Sequence, residues 1–372
     1  MLIFKDLHKY SGIRPLLAYL FIIILCYACA KPADRWKAGI AGSGFIFTQA
    51  PFPSCHAATI AETRDGLIAA WFGGTHERHP DVGIWVSRMV NGQWTPPEEV
   101  ANGRIDEITR YPLWNPVLYQ VPGGELYLFY KIGPRPSAWW GMMKRSTDAG
   151  KTWSDPEPLP AGFIGPVKNK PVLLDNGTLL CGSSTEGDAW RVHMEKTDTE
   201  ARHWTKTDAL NDGETYQAIQ PSILTYRDGS LQILCRSRNA VIVESWSFDG
   251  GETWSLLQDA GLPNNNSGFD GVTLADGRQL LVYNHVSTPA GAGKGYRTPL
   301  NVAVKKGKSK YWYAALILED SLTGQYSYPS VIQSADGMVH IVYTWRRERI
   351  MHVVIDPDKI KLQKITAGQW PG

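Results

Sequence analysis

The sequence predicts an all-β fold, a six-bladed β-propeller with Asp-box hairpins, and three observations carry that prediction. A pattern of polar residue, frequent Pro, apolar strand, Gly turn and second apolar strand occurs six times. Its copies start about 50 to 59 residues apart, room for one four-stranded blade each. A second marker of the form S-x-D-x-G-x-T-W keeps the same beat, and no segment carries a helical apolar period longer than a turn or two.

The chain opens with Lys5, Lys9 and Arg14, followed by an apolar run over residues 16–30 that contains Ala28-Cys29-Ala30. Fifteen residues are too few to cross a bilayer comfortably and match the apolar stretch of an export signal. Residues 1–30 are therefore expected to be a signal peptide, with Cys29 as an alternative lipid-attachment site, and residues 31–372 one propeller domain. Such a protein is exported: periplasmic, secreted, or held at the cell surface as a lipoprotein. Removing the segment takes the formal charge from +2 to about 0, which leaves no global electrostatic case for nucleic acid or anionic membrane. Only a lipid anchor would bring it to a membrane, and a monomer is expected. Cys55, Cys181 and Cys235 remain, an odd number without metal-ligand spacing, so neither a disulfide framework nor a metal or other cofactor is implied.

The six copies begin at His56-Ala57-Ala58-Thr59-Ile60, Asn115-Pro116-Val117-Leu118 and Lys170-Pro171-Val172-Leu173-Leu174, leading to Gly66, Gly124 and Gly177. Gln220-Pro221-Ser222-Ile223-Leu224 leads to Gly229, a looser Asp270-Gly271-Val272-Thr273-Leu274 to Gly277, and Tyr328-Pro329-Ser330-Val331-Ile332 to Gly337. Between them, residues 146–153 and 247–254 are full copies of the second marker, with degenerate copies ending at Trp94, Trp204 and Trp312. In such a hairpin the Asp caps the turn, Gly takes a positive φ, and Trp plugs the gap between blades. The sixth blade lacks one, so Gly44-Phe45-Ile46-Phe47 is expected to supply the strand that closes the ring.

Innermost strands of a propeller all start at one end of the central channel. His56, Asn115, Lys170, Gln220, Asp270 and Tyr328 are therefore expected to ring one funnel, with second strands returning to it near Lys131, Ser184, Arg236, Asn284 and Arg346. Tyr328, His56, Asp81 and Gln220 are the catalytic candidates; Arg236, Arg297, Asn115, Lys170, Asp270 and Arg346 are the substrate-binding ones. The loop with His76, Glu77, His79 and Asp81 reads as a substrate loop; its spacing matches no strong zinc motif. The Gly-rich residues 288–295 read as a loop over the site, and Trp139-Trp140 as either sugar platform or blade packing.

The repeats and Asp-box hairpins resemble the sialidases, retaining exo-glycosidases for nonulosonic acids, over nearly the whole mature chain. That resemblance implies three arginines around a carboxylate, a Tyr nucleophile paired with a Glu, and an Asp acid on a first-blade loop. Arg236 (with Arg238 two residues on), Arg297 and Tyr328 (with Tyr326 as near competitor) match, and Asp81 lies on the right loop. His56 stands where the first arginine is expected, and Gln220 stands where the glutamate is. An amide takes no proton from a phenol, and each lost arginine weakens a carboxylate clamp by about 1.5–3 kcal/mol. Three functions stay open: an exo-acting hydrolase of a terminal acidic sugar, a uronide lyase using His56 and Tyr328, and a non-catalytic glycan-binding propeller.

Overall fold

Apolar alternation and closely spaced turns build six antiparallel sheets around a central axis in the computed structural model, which describes residues 32–289 and 292–372. The expected export signal and Cys29 lie outside the described residues. Blade 1 runs from its inner strand Ser54–Thr63 through Gly66–Gly74 and Gly83–Val90. The inner strands of blades 2 to 5 are Leu113–Gln120, Val172–Leu173, Ala218–Thr225 and Asp270–Thr273. Blade 6 comprises Tyr326–Gln333, Val339–Trp345 and Arg349–Ile355, and its fourth strand is the N-terminal Ile40–Phe45.

That closure was legible in the sequence, though it begins earlier than residue 44. Gly44 pairs with His352 and Ile46 N still donates to Ile350 O at 2.9 Å, while Phe47 turns onto blade 1, where its ring stacks on Trp71 at 5.0 Å. Apolar side chains fill every gap between neighbouring blades: Ile68, Ile84, Leu118 and Leu128 lie between blades 1 and 2, and Leu180, Ile223 and Ile233 between blades 3 and 4. Trp71 has no solvent exposure, and truncating so large a buried ring costs about 3–5 kcal/mol.

The Asp-boxes are tight turns at the end of the blades away from the funnel. Asp148 accepts from the backbone of Lys151 and Thr152 and from the Thr152 hydroxyl, while Ser146 Oγ accepts from Gly150 N. Asp249 repeats these bonds with Glu252 and Thr253. Gly150 sits at φ +80, where a side chain would also strike Ile68 of blade 1, so the box both turns the strand and locks adjacent blades.

At the opposite end, four inner strands carry the same bulge. Ala57, Asn115, Gln220 and Tyr328 all have positive φ, between 34° and 58°, at a break in the pairing register. Pro116, Pro221 and Pro329 follow three of them, and a residue without N–H forfeits no ladder bond at a bulge. The bulge also corrects the alignment of the ring. Ala57 is in phase with Gln220 and Tyr328, whereas His56 is in phase with Trp114, Ile219 and Ser327.

Candidate functional site

Turning a residue through the bulge aims it across the channel, and Tyr328 is the centre of what results. Arg236 Nη1 donates to Tyr328 Oη at 2.6 Å, and Gln220 Nε2 donates to the same oxygen at 3.3 Å. Arg236 Nη1 also reaches Gln220 Oε1 at 3.4 Å, and its Nε donates to Asn266 Oδ1 at 2.9 Å. Arg297 comes from the loop before the third strand of blade 5; its guanidinium lies 5.4 Å over the Tyr328 ring and donates to Ser327 Oγ at 3.3 Å. The phenol oxygen thus accepts from a charged and a neutral donor together.

His56 packs against Tyr328 with ring centroids 4.2 Å apart. Its Nδ1 meets Thr344 Oγ1 at 2.9 Å and its Nε2 faces Arg297 Nη1 at 3.4 Å. Burial holds its pKa well below the ordinary histidine value, and Arg347, Arg297, Lys168 and Arg236 push the same way. His56 is therefore a neutral, 2% exposed ring wedged behind the tyrosine.

A third arginine completes the cluster, and it is Arg347. Arg346 is exposed and lies over the Trp345 ring at 4.6 Å, whereas Arg347 turns inward and pairs with Glu77 at 2.6 Å. Both residues have positive φ, 52° and 66°, so the strand's ordinary in–out alternation ends there. The charge of Arg347 acts on both His56 and Arg297. Burial and these neighbouring arginines lower Arg297 to about 10, which leaves it charged at neutral pH.

The remaining candidates divide between the funnel and its floor. Asp81 is bound within its own loop by Thr75 N and Oγ1, at 3.0 and 2.6 Å, and by His79 Nδ1 at 2.7 Å. These donors outweigh its partial burial and hold its carboxyl below the usual range. Glu77 is the carboxylate of that loop which faces the arginines. Asp270 has no exposure and is saturated by Lys170 Nζ, Ser222 Oγ, Gly271 N and Val331 N; it ties blades 3 to 6 together beneath the funnel. Lys170 is likewise committed, to Asp270 and to Gly271 O at 2.9 Å. Asn115 is buried and bonds to no described side chain. Among the described residues, no three of His, Cys, Asp or Glu gather as metal ligands.

Sequence reasoning missed Arg347, Lys168 and Asn266. Lys168 is fully buried 5.7 Å from the Tyr328 ring, with its Nζ bonded to Asn169 Oδ1, Phe269 O and Pro329 O. Burial lowers it to about 7. Its signal in the sequence is the Lys168-Asn169-Lys170 run, in which the repeat spacing points to the later lysine. Asn266 connects Arg236 to the Gly-rich loop by donating to Gly293 O at 2.8 Å. Trp139 packs on Trp114 inside this face, and Trp140 is the more exposed of the pair.

With this geometry in hand, comparison with known proteins is decisive for the family. The profile of the BNR repeat-like domain matches residues 65–341, most of the chain. The chain belongs to this family, as a propeller of the sialidase superfamily. It is 26% identical to the anhydrosialidase of Macrobdella decora over 257 residues, which are 62% of this chain and 32% of that protein. The chain thus spans about a third of the length of that curated relative. A Dyadobacter fermentans protein of unknown function superposes with TM-score 0.69 at 17% identity, over 87% of this chain and 99% of that one. The intramolecular trans-sialidase of Ruminococcus gnavus gives 0.67 at 15% identity, over 87% and 99%. The NanB sialidase of Streptococcus pneumoniae gives 0.66 at 12%, over 86% and 71%. These structural likenesses establish the BNR propeller; the chemistry is read from the residues.

Proposed function

We propose that this protein is an exported, exo-acting glycoside hydrolase that removes a terminal carboxylated sugar from a glycan. One observation carries the reading: Arg236 donates to a tyrosine oxygen that also accepts from Gln220, Arg297 lies over the same ring, and the charge of Arg347 acts on Arg297 beside them. Nothing but an anion suits so much converging positive charge, and a sugar carboxylate satisfies it with paired bonds. The relatives named as sialidases support the same substrate class.

The substrate carboxylate displaces Glu77 from Arg347 and occupies the arginines. As it leaves Arg347, Glu77 takes the phenol proton of Tyr328; the phenolate held by Arg236 and Gln220 attacks the anomeric carbon, and the glycosidic bond breaks as Glu77 passes that proton to the leaving oxygen. Water then displaces the tyrosyl group and returns a proton to Glu77, with retention of configuration. Gln220 orients the phenol and moves no proton.

The lyase reading is the weaker one because its base would be His56. Burial and four cations hold that imidazole far below the range in which a general base works at neutral pH. The test is incubation of the protein with sialosides, ulosonic-acid glycosides and uronides, read by mass spectrometry. Products heavier by one water across the cut support the proposal. Products lacking that water and carrying the ultraviolet absorbance of a new double bond establish elimination, and saturable binding without product establishes a glycan-binding module.

A further inference from the structure

Beside the Trp190 indole, next to the arginine cluster, lies a second pocket, of about 210 Å³, that the proposed reaction leaves unused. Arg78, Arg135, Glu186, Trp190 and Arg238 line it. Trp190 is a wall common to both places: the Arg236 guanidinium lies 5.1 Å from its ring and that of Arg238 4.1 Å. Glu186 ends the second strand of blade 3, partly buried, and accepts no hydrogen bond from a described residue. Burial raises its carboxyl above the ordinary range, as does Glu77, while Arg236, Arg238 and Arg78 oppose the shift. Arg135 donates to Ser137 Oγ and Arg238 to Gln217 Oε1, both at 3.0 Å, so each keeps N–H groups for a ligand.

A single unpartnered carboxylate among three guanidiniums offers acceptor and donors side by side. Sugar hydroxyls, each of which donates and accepts, satisfy both, whereas a second anion would meet Glu186 directly. The pocket has room for one sugar ring, not for a chain.

We propose that this pocket holds the neighbouring sugar of the glycan, the one that leaves when the terminal acidic sugar is cut. Glu186 accepts from its hydroxyls, and Arg78, Arg135 and Arg238 donate to them. The enzyme so built prefers an acidic sugar attached to another sugar over one attached to a simple alcohol or phenol. This rests on the hydrolase reading, and the test separates the two.

The measurement is kcat/KM for a trisaccharide ending in the acidic sugar, divided by that for the nitrophenyl glycoside of the same sugar. Glu186→Gln and Arg135→Ala are each expected to lower that ratio about tenfold. An unchanged ratio, whether both rates fall together or neither moves, overturns the pocket's role. A second arm needs no turnover: calorimetric binding of the trisaccharide and of the free acidic sugar to the Tyr328→Phe protein. Tighter binding of the trisaccharide, lost on adding Glu186→Gln, supports the pocket even if wild-type protein cleaves nothing, in which case only the hydrolase reading fails. Equal affinity for the two ligands overturns the pocket.

Discussion

The two ends of the blades set the same kinds of residue in opposite circumstances. At one end, Asp148 and Asp249 take all their donors from residues within four positions of themselves, and their carboxyls are held below the usual range by those bonds. At the other, Arg236 meets Tyr328 across 92 residues and Arg347 meets Glu77 across 270. The first end is locally complete and needs no ligand. The second gathers Arg236, Arg297 and a buried lysine around one phenol, with Arg347 acting on Arg297 beside them, an excess of positive charge that a bound anion would relieve. Stability and function are thus segregated by face, and each prediction below tests that division.

The largest effect is expected at Tyr328. Replacing it with Phe removes the attacking oxygen and leaves the ring that packs on His56, so kcat should fall by about 10³-fold or more, with little change in unfolding free energy. Release of free acidic sugar measures the first and urea denaturation the second. A retained rate would remove Tyr328 as nucleophile; a large loss of stability would break the division between faces.

Next come two adjacent residues with opposite roles. Arg347→Ala should lower kcat/KM by about 10- to 100-fold, the loss of one charged pair of bonds to a carboxylate. Arg346→Ala, whose guanidinium lies over Trp345 at the surface, should stay within about twofold. The reverse order would show that the inward turn of the strand end has been misassigned.

How much of this was legible from the sequence follows from the same contrast. The Asp-boxes and six repeats are local patterns, read with their spacing, and the N-terminal closure followed from the one blade they left incomplete. The structure also brings Gln220, Tyr328, Arg236 and Arg297 to one place, which their fixed offsets from the repeats foreshadow. The failures lie where the backbone leaves its period. A bulge at Ala57 puts His56 one position out of phase, and consecutive positive φ values at Arg346 and Arg347 exchange the expected arginine for its neighbour. Asp270 looked like a ring member, but its burial is set by contacts from three other blades, which no single repeat reveals.

The Asp-box end supplies the third test. Asp148→Ala removes the acceptor for two backbone N–H groups and the Thr152 hydroxyl, and should lower unfolding free energy by about 1–2 kcal/mol. The rate at saturating substrate should not change. A lower kcat with full stability would mean that the far face communicates with the funnel.

The smallest effect belongs to the seam where the ring closes, and it is expressed only in acid. In blade 6, His340 Nδ1 faces His352 Nε2 at 3.0 Å, and His352 stands opposite Gly44 of the closing strand. Burial lowers both histidines, His352 to about 4, with Asp336 and Glu62 partly offsetting the shift at His340. The unfolded chain binds these protons near the ordinary histidine value of 6.5, so it takes up protons before the folded one does. Their stabilising contribution is complete above that value and declines as pH falls from about 6.5 toward 4. The Asp-box carboxylates, whose unfolded value is 3.8, contribute loss only below this window. Urea titrations between pH 7 and 4.5 should therefore show wild-type stability falling on acidification, with a shallower fall for His352→Gln. Equal slopes would place the acid sensitivity elsewhere than the closing seam.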